Sequence, residues 1–218
     1  MSANFNVSPS PHIRDRVKSS NIMLFVVIAL LPATFFGIYN FRHENAWLLV
    51  LVTTASAVLA EYIYEKLMHK PVTIQDFSAV VTGLLLALNL PPTLPLWMGA
   101  LGSVFAIIVV KQLFGGLGFN FANPALLGRI VLFIGFAGRM TAYAFPQTDI
   151  DALASATPLV AGNSMAGKDM LLQLLLGAHG GVLGETCAVA LILGGIYLIA
   201  TKTISAAIPL SYIGTVAV

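Results

Sequence analysis

The chain has 218 residues, of which 58% are hydrophobic and 9% are charged, with a formal net charge of +2 and a mean hydropathy of +0.89. Soluble domains usually carry about 25% charged residues, so this composition predicts an all-α polytopic membrane protein. The small net charge gives no reason to expect a nucleic-acid partner. A single cysteine, Cys187, excludes an internal disulfide and a multi-cysteine metal site, and the sequence lacks the phosphate-binding pattern of nucleotide-hydrolysing motors.

The amino end is polar over residues 1–20 and is interpreted as a cytoplasmic tail. It is not interpreted as a signal peptide, because no small-residue cleavage site follows it and several further apolar runs do. Residues 21–144 are expected to form a first transmembrane bundle of about five helices. The first span is predicted over about 22–41, close to the roughly 20 residues that a bilayer requires, with a kink at Pro32.

The next two apolar runs differ in length. After a turn at "RHEN", a second span is predicted over about 46–64. The run over about 79–90 is too short to cross a bilayer alone, and "NLPPTLP" breaks it. This segment is either a tilted span extended through Ile74 or a half-helix that lines a cavity, as in transporters built from repeats.

Two more spans complete the predicted bundle. One runs over about 96–110 and ends at Lys111, and the other runs over about 125–144. Basic side chains favour the cytoplasmic side of a membrane, and counting five crossings from a cytoplasmic amino end places residues 145–168 outside. If the short segment at 74–90 does not cross, the parity reverses and Lys111 lies outside, so the crossing is favoured.

The carboxyl-terminal part is expected to contain further transmembrane helices over residues 169–218. Residues 169–181 are interpreted as an interfacial or re-entrant piece. A span is predicted over 182–200, capped by Lys202. The apolar run that starts near Thr203 is shorter than a normal span, so the last helix is expected to be incomplete.

A polar island, "DALASATPLVAG" at 151–162, lies between two apolar stretches. Small residues flank the Thr157 hydroxyl, and Pro158 fixes the next backbone angle, so an external enzyme could reach that hydroxyl. A phosphoester on the threonine would need such access. The simpler alternative is that Thr157-Pro158 begins a helix or a turn, with proline at the first helical position.

The stretch "GGLGFNFANPALLGR" at 115–129 combines a glycine-rich turn with a helix start. Asn123 is expected to cap that helix, with Pro124 at its first position. Free N–H groups at such an end favour an anion or a polar ring edge. Arg129 could neutralise a phosphate. Plain re-entrant packing, with the arginine as an anchor, is the alternative.

Other polar residues in the apolar segments give weaker indications. A carboxylate in an apolar run is costly and often functional, so Glu185 is interpreted as part of an ion path. The alternative is that it caps the start of the following helix. Glu61 and Asp76 are expected at the membrane interface. No two of the four histidines pair at helical spacing within a span, so a bis-histidine haem is not expected, and Cys187 is expected to be a small buried hydrophobe.

The stretch "DALASATPL" resembles the flavinylation motif of the family that includes the RnfD subunit of the Rnf complex and the NqrB subunit of the sodium-pumping NADH:quinone oxidoreductase. "SPSPHI", "GGLGFNFANPALLGR" and "LGETCAVALILGG" also resemble segments of that family. The resemblance implies that a flavin transferase joins FMN through its phosphate to Thr157, within a motif that includes Asp151 and Ser155. Ala154 departs from the pattern, which commonly has serine or threonine there.

The resemblance also implies a fold and a function. The fold would be a urea-channel-like helical repeat with interrupted helices, and residues 145–168 would be an extracytoplasmic flavin-attachment loop. The function would be electron transfer in the bacterial inner membrane, within an ion-translocating ferredoxin:NAD⁺ oxidoreductase whose other subunits are RnfA, RnfB, RnfC, RnfE and RnfG. The FMN on RnfG would be the electron donor, lipid would surround the chain, and some members hold a second, non-covalent flavin (riboflavin).

Cofactor-binding residues expected on these grounds are Thr157, Ser155, Asp151, Arg129 and Asn123. Two other classes of function are also compatible with the sequence. A channel or secondary transporter without a redox role would also use interrupted helices and a lone membrane carboxylate. A membrane scaffold without catalysis is the third possibility.

Overall fold

The computed structural model describes residues 18–142, 175, 177, 180–185 and 187–217, and every regular element in this part of the chain is helical. The protein is an all-α membrane protein, as its composition predicts. The α-helices of the described residues are α1 Ser19–Asn40, α2 Ala46–Leu67, α3 Ser78–Leu88, α4 Leu96–Phe105, α5 Pro124–Gly135, α6 Ala137–Met140, α7 Ala188–Ala200 and α8 Ala207–Ala217. A π-helix, Ala106–Gln112, continues α4 without a break, and 3₁₀ turns lie at Arg42–Glu44 and Ile74–Asp76.

Helices α1 and α2 form where the two uninterrupted apolar runs were predicted. Among the described helices, these two are long and apolar enough to cross a membrane by themselves. The turn between them ends at Asn45, whose backbone is left-handed with φ of 53°. Helix α1 continues past Pro32, whose missing N–H removes one hydrogen bond from the helix.

Helix α3 is shorter than the tilted span that was one of the two interpretations. Phe77 has φ of 60°, which ends any continuous helix between Ile74 and Ser78, so the extension through Ile74 is wrong. Eleven residues rise about 16 Å, roughly half of the hydrocarbon thickness. Helix α3 is also almost entirely buried, and it packs mainly against α2. The structure therefore has the interrupted helix of the second interpretation. The turn that follows α3 still lies at the same end of the bundle as the turn after α1, because Phe41 and Leu90 share one buried cluster, so the short helix does not reverse the parity of the count.

Two predicted spans are longer than the helices that form. The span over 125–144 is helical only to Gly135, because Phe136 leaves the helical region before the short α6. The span over 182–200 becomes helical only at Ala188. There, the backbone N–H groups of Leu183 and Gly184 donate to the carbonyl oxygens of Leu90 and Leu88, at 3.1 and 2.8 Å. Tertiary hydrogen bonds thus hold this apolar stretch out of a helix.

Small residues let the helices approach closely. A Cβ on Gly194 of α7 would lie 2.3 Å from the carbonyl oxygen of Ala29 in α1. A Cβ on Gly83 of α3 would lie 2.7 Å from Cα of Thr54 in α2. Close backbone approach at small residues is how membrane helices gain van der Waals contact where the hydrophobic effect gives none.

The chain on both sides of residues 143–174 is held at one end of the bundle, here called the anchoring end. The turn after α1 and the turn at 89–95 lie at this end too, because Phe41, Leu90 and Leu183 belong to one buried hydrophobic cluster. The Thr93 hydroxyl donates to the carbonyl oxygen of Ala142 at 2.9 Å, and the Asn40 amide donates to that of Gly177 at 3.2 Å. Lys66, Lys70 and Lys111 lie toward the opposite end, where α2 and the π-helix finish.

Candidate functional site

Three of the five residues predicted to bind a cofactor, Thr157, Ser155 and Asp151, lie outside the described residues. The same holds for the whole predicted loop at 145–168 and for most of the piece at 169–181. Their roles stay predictions. Arg129 and Asn123 are described, and both belong to α5 or its cap.

Asn123 caps α5 as the sequence predicts. Its backbone is extended, Pro124 follows as the first helical residue, and its side-chain oxygen accepts from the N–H groups of Ala125 and Leu126 at 3.0 and 3.4 Å. The capping oxygen satisfies donors that a helix start would otherwise leave free. Asn123 therefore fixes the start of α5 and, through the helix, the position of Arg129.

Arg129 lies on α5 and is half-buried. Its Nη1 donates to Oδ1 of Asn89 at 3.1 Å, and Nδ2 of Asn89 donates to the carbonyl oxygen of Leu85 at 2.9 Å. Asn89 is the residue at which α3 ends, so the interruption of that helix makes this contact possible. The pair orients the guanidinium at the anchoring end.

A cavity of about 440 Å³ opens beside this pair. Its polar lining includes Asn89, Arg129 and Glu185, and its walls include Leu88 and Gly184. The volume falls within the roughly 300–1,000 Å³ typical of small-molecule sites. A guanidinium can hold a phosphate through two parallel hydrogen bonds, so the cavity offers one cationic group suited to a phosphoryl oxygen. We refer to it as the arginine cavity.

Glu185 does not cap a helix, which corrects one of its two interpretations. It is exposed in a turn before α7. Cys187 is the capping residue instead, with its Sγ accepting from the N–H of Ala190 at 3.4 Å. Cys187 is also buried, as expected. The sequence "GETC" suggests a helix that starts at Glu185. Tertiary hydrogen bonds of residues 183 and 184 delay the start of the helix to Ala188, so Glu185 lies before it.

A buried polar cluster, which the sequence reasoning missed, lies toward the opposite end of the bundle. Glu61 is 0% exposed and Lys111 is 1% exposed, and Nζ of Lys111 lies 2.5 Å from Oε1 of Glu61. Lys111 also donates to Oγ of Ser78 at 2.6 Å. Gln112 donates to Oε1 of Glu61 at 2.8 Å and to Oε1 of Glu65 at 3.2 Å. We call these five residues the charge cluster.

The charge cluster adds a contact to two residues that the sequence treats separately. Glu61 is expected at the interface and Lys111 at the end of a span, and in the structure each is also the buried partner of the other. Glu61 and Glu65 are four residues apart, so they share one face of α2. That spacing, together with a lysine ending the apolar run "AIIVVK", was the signal that could have indicated the pair.

Further hydrogen bonds extend the charge cluster toward the end of the bundle where α2 and the π-helix finish. Glu65 accepts from the backbone N–H of Thr73 at 3.0 Å and from its hydroxyl. Asp76 accepts from the backbone N–H of Ser78 at 2.8 Å and from its hydroxyl. Oε2 of Glu61 is buried without a hydrogen-bond partner among the described residues. This network thus joins three carboxylates to one ammonium group, which contacts Glu61 directly and is linked to Asp76 through Ser78 and to Glu65 through Gln112 and Glu61.

Comparison with known proteins identifies the family. Residues 6–218 match the model of the NQR2, RnfD, RnfE family. The chain belongs to this family. The match includes the polar island at 151–162 and the glycine-rich turn at 115–118, which carry the resemblance in the sequence.

Relatives in this family have names that describe a redox complex. The chain is 46% identical to the subunit designated D of the Na(+)-translocating ferredoxin:NAD(+) oxidoreductase complex of Acetobacterium woodii, over 99% of this chain and 68% of that protein. It is 41% identical to the corresponding subunit of the proton-translocating ferredoxin:NAD(+) oxidoreductase complex of Clostridium ljungdahlii, over 98% and 68%. It is 37% identical to that of the ion-translocating oxidoreductase complex of Rhodobacter capsulatus, over 94% and 66%.

The names of the first two relatives specify different ions, Na⁺ and protons. The chain spans about two thirds of the length of each of these relatives.

Proposed function

We propose that the chain is the flavin-carrying membrane subunit of an ion-translocating ferredoxin:NAD⁺ oxidoreductase complex. The observation that carries the proposal is the similarity, over 99% of the chain, to a relative named as a subunit of such a complex. The motif "DALASATPL" supports it from the sequence. The complex would contain the further subunits RnfA, RnfB, RnfC, RnfE and RnfG, in a bacterial inner membrane.

FMN would be joined through its phosphate to Thr157 by a flavin transferase, with Asp151 and Ser155 as part of the recognised motif. The fold supports this assignment indirectly. The described residues that flank segment 143–174 are tied to the turn at 89–95, next to the arginine cavity. Arg129 would then neutralise the phosphodiester or the reduced flavin, and Asn123 would act through the position of α5.

The cofactor would supply one-electron chemistry, and the chain would supply the tether, the orientation and the electrostatics. A covalent bond suits a carrier at the extracytoplasmic face, because a free flavin there would diffuse away. The donor would be the FMN of the neighbouring RnfG. Coupling to Na⁺ or H⁺ movement requires that the redox state favour one helix arrangement over another.

A second, non-covalent flavin has a candidate position at a cavity of about 190 Å³ near the glycine-rich turn. Asn120, Asn123, Ser78 and Lys111 line this cavity, and Oδ1 of Asn120 is buried without a partner among the described residues. A flavin ring carries an imide N–H that could donate to that oxygen. The volume is below the roughly 300 Å³ of a complete ligand site, so only the ring edge would enter.

Covalent flavin can be tested directly on denaturing gels. We expect a fluorescent band under ultraviolet light when the chain is expressed in a host that has the flavin transferase. Thr157→Val removes the hydroxyl and should abolish the fluorescence. Thr141→Val is the matched control, because its exposed hydroxyl lies outside the motif, and it should leave the fluorescence unchanged. A dark wild-type band would favour a channel, transporter or scaffold instead.

A further inference from the structure

Helix α2 has one face that no helix of the described residues covers. Its buried residues, which include Thr53, Ala57 and Glu61, face α3, α4 and the π-helix. The residues of the opposite face are exposed and recur at spacings of three or four, so they form one stripe along the helix. We call this face the outer stripe, and it consists of Trp47, Leu51, Ala55, Leu59, Tyr62, Ile63 and Lys66.

The composition of the outer stripe fits lipid better than it fits another helix. Membrane helices pack on one another through small residues and interhelical hydrogen bonds, as the close approach of Gly194 to Ala29 illustrates. The stripe has no glycine, and none of its side chains between Trp47 and Tyr62 can form a hydrogen bond. Tryptophan and tyrosine, which stand toward its two ends, are enriched at the two membrane–water interfaces.

A lysine stands in the outer stripe near the end of α2. Nζ of Lys66 lies 5.7 Å from the centre of the Tyr62 ring, a cation–π contact that keeps the ammonium group beside the stripe. Among the described residues, no carboxylate lies within 4 Å of this ammonium group. An ammonium group without a counter-ion, next to an exposed apolar face, is complementary to a lipid that carries a phosphate and acyl chains.

The length of the outer stripe agrees with one leaflet of a bilayer. From Ala55 to Lys66 the helix rises about 16 Å, since each residue adds about 1.5 Å. Half of a hydrocarbon core of about 30 Å is about 15 Å. A phospholipid whose phosphate contacts Lys66 would therefore lay its acyl chains along Ile63, Leu59 and Ala55.

A second lysine at the same end of the bundle has different surroundings. Nζ of Lys70 lies 5.0 Å from the centre of the Tyr64 ring, so its cation–π contact is similar to that of Lys66. However, Lys70 lines a cavity of about 340 Å³ whose walls also include Glu65 and Asp76. Two carboxylates in the same cavity oppose the binding of an anion. Lys70 is therefore a matched control for Lys66.

We propose that the outer stripe binds an anionic phospholipid whose phosphate is held by Lys66 and Tyr62. The ammonium group of Lys66 supplies the charge, and the hydroxyl of Tyr62 donates a hydrogen bond to a phosphate oxygen. Leu59 and Ile63 contact the acyl chains. The site consists only of residues of α2, so it stands independently of flavin attachment at Thr157.

Quenching of tryptophan fluorescence by brominated lipids measures which lipid occupies the stripe. The reporter is the full chain with Leu59→Trp, in which Trp47→Phe and Trp97→Phe remove the native tryptophans. Leu59 is 57% exposed, so the new indole lies beside the acyl chains. In vesicles that mix phosphatidylglycerol with phosphatidylcholine, one of them brominated, we expect about fivefold stronger binding of phosphatidylglycerol, the effect of one lysine near an anionic lipid surface.

Three variants of the reporter chain assign this preference to one residue. Lys66→Gln should abolish it, whereas Lys66→Arg, which keeps the charge, and Lys70→Gln should retain it. Equal binding of the two lipids by the reporter chain would overturn the proposal. A preference that survives Lys66→Gln would overturn it as well. Equal losses in Lys66→Gln and Lys70→Gln would also overturn it, because general surface charge would then be the cause.

Photo-crosslinking in the native complex tests whether a protein covers the same face. With p-benzoylphenylalanine in place of Leu59, we expect adducts with lipid and no crosslinked subunit after illumination of the membranes. A crosslink from this position to another subunit would overturn the proposal and favour a partner helix. Neither measurement depends on flavin content, so the outcome is distinguishable from a failure of the proposed function.

Discussion

Lys111→Met is the most informative single change in the charge cluster. The substitution keeps a long apolar stem but removes the ammonium, which leaves Glu61 buried with neither the ion pair nor its shortest hydrogen bond. Removing one partner of a fully buried pair typically costs about 3–5 kcal/mol, because the remaining charge is uncompensated. For a chain of this size each kcal/mol shifts Tm by about 2–4 °C, so we expect Tm to fall by about 6–20 °C.

The chain contains its own reporter for this measurement. Cys187 is the single cysteine and is buried, so a maleimide dye that fluoresces on reaction with thiols reports unfolding in detergent. The control is the double variant Glu61→Gln with Lys111→Met, which removes both charges and should recover most of the lost Tm. A Tm for Lys111→Met equal to that of the wild type, or a double variant less stable than the single one, would refute this reasoning.

Three further changes test separate parts of the structure. Gly194→Ala should weaken the contact of α7 with Ala29 and lower Tm, whereas Gly195→Ala, which meets no atom within 4 Å, should not; equal Tm values for the two variants would contradict the packing. Asn123→Ala should cost about 1 kcal/mol in thermal unfolding through loss of the cap, with Asn123→Asp retaining stability, and no difference between them would show that the cap is unimportant. Arg129→Gln should leave flavin fluorescence on gels intact but lower the midpoint potential of the bound FMN in a redox titration, since a cation that stabilises the reduced form is lost; an unchanged potential would separate Arg129 from the flavin.

The sequence predicted best what depends on composition and on local pattern. Long apolar runs without interruption became α1 and α2, and the pair Asn123-Pro124 became a helix cap with the expected hydrogen bonds. These features depend on residues next to each other in the chain. Tertiary contacts do little to change them.

Features fixed by distant contacts could not be predicted from the sequence. Helix α7 begins late because residues 183 and 184 donate hydrogen bonds to the end of α3 and the turn that follows it. The pair of Glu61 and Lys111 joins residues 50 apart, and Lys111 lies in a π-helix, which apolar periodicity does not indicate. The family resemblance, rather than any physical pattern, singled out Thr157.

The central claim is that Thr157 carries FMN through a phosphoester bond. Mass spectrometry of the peptide that contains Thr157, prepared from the complex isolated from native membranes, tests it most directly. We expect the peptide mass to be increased by one FMN minus water, and fragmentation to place the increase on Thr157. A peptide of unmodified mass from the assembled complex would contradict the claim.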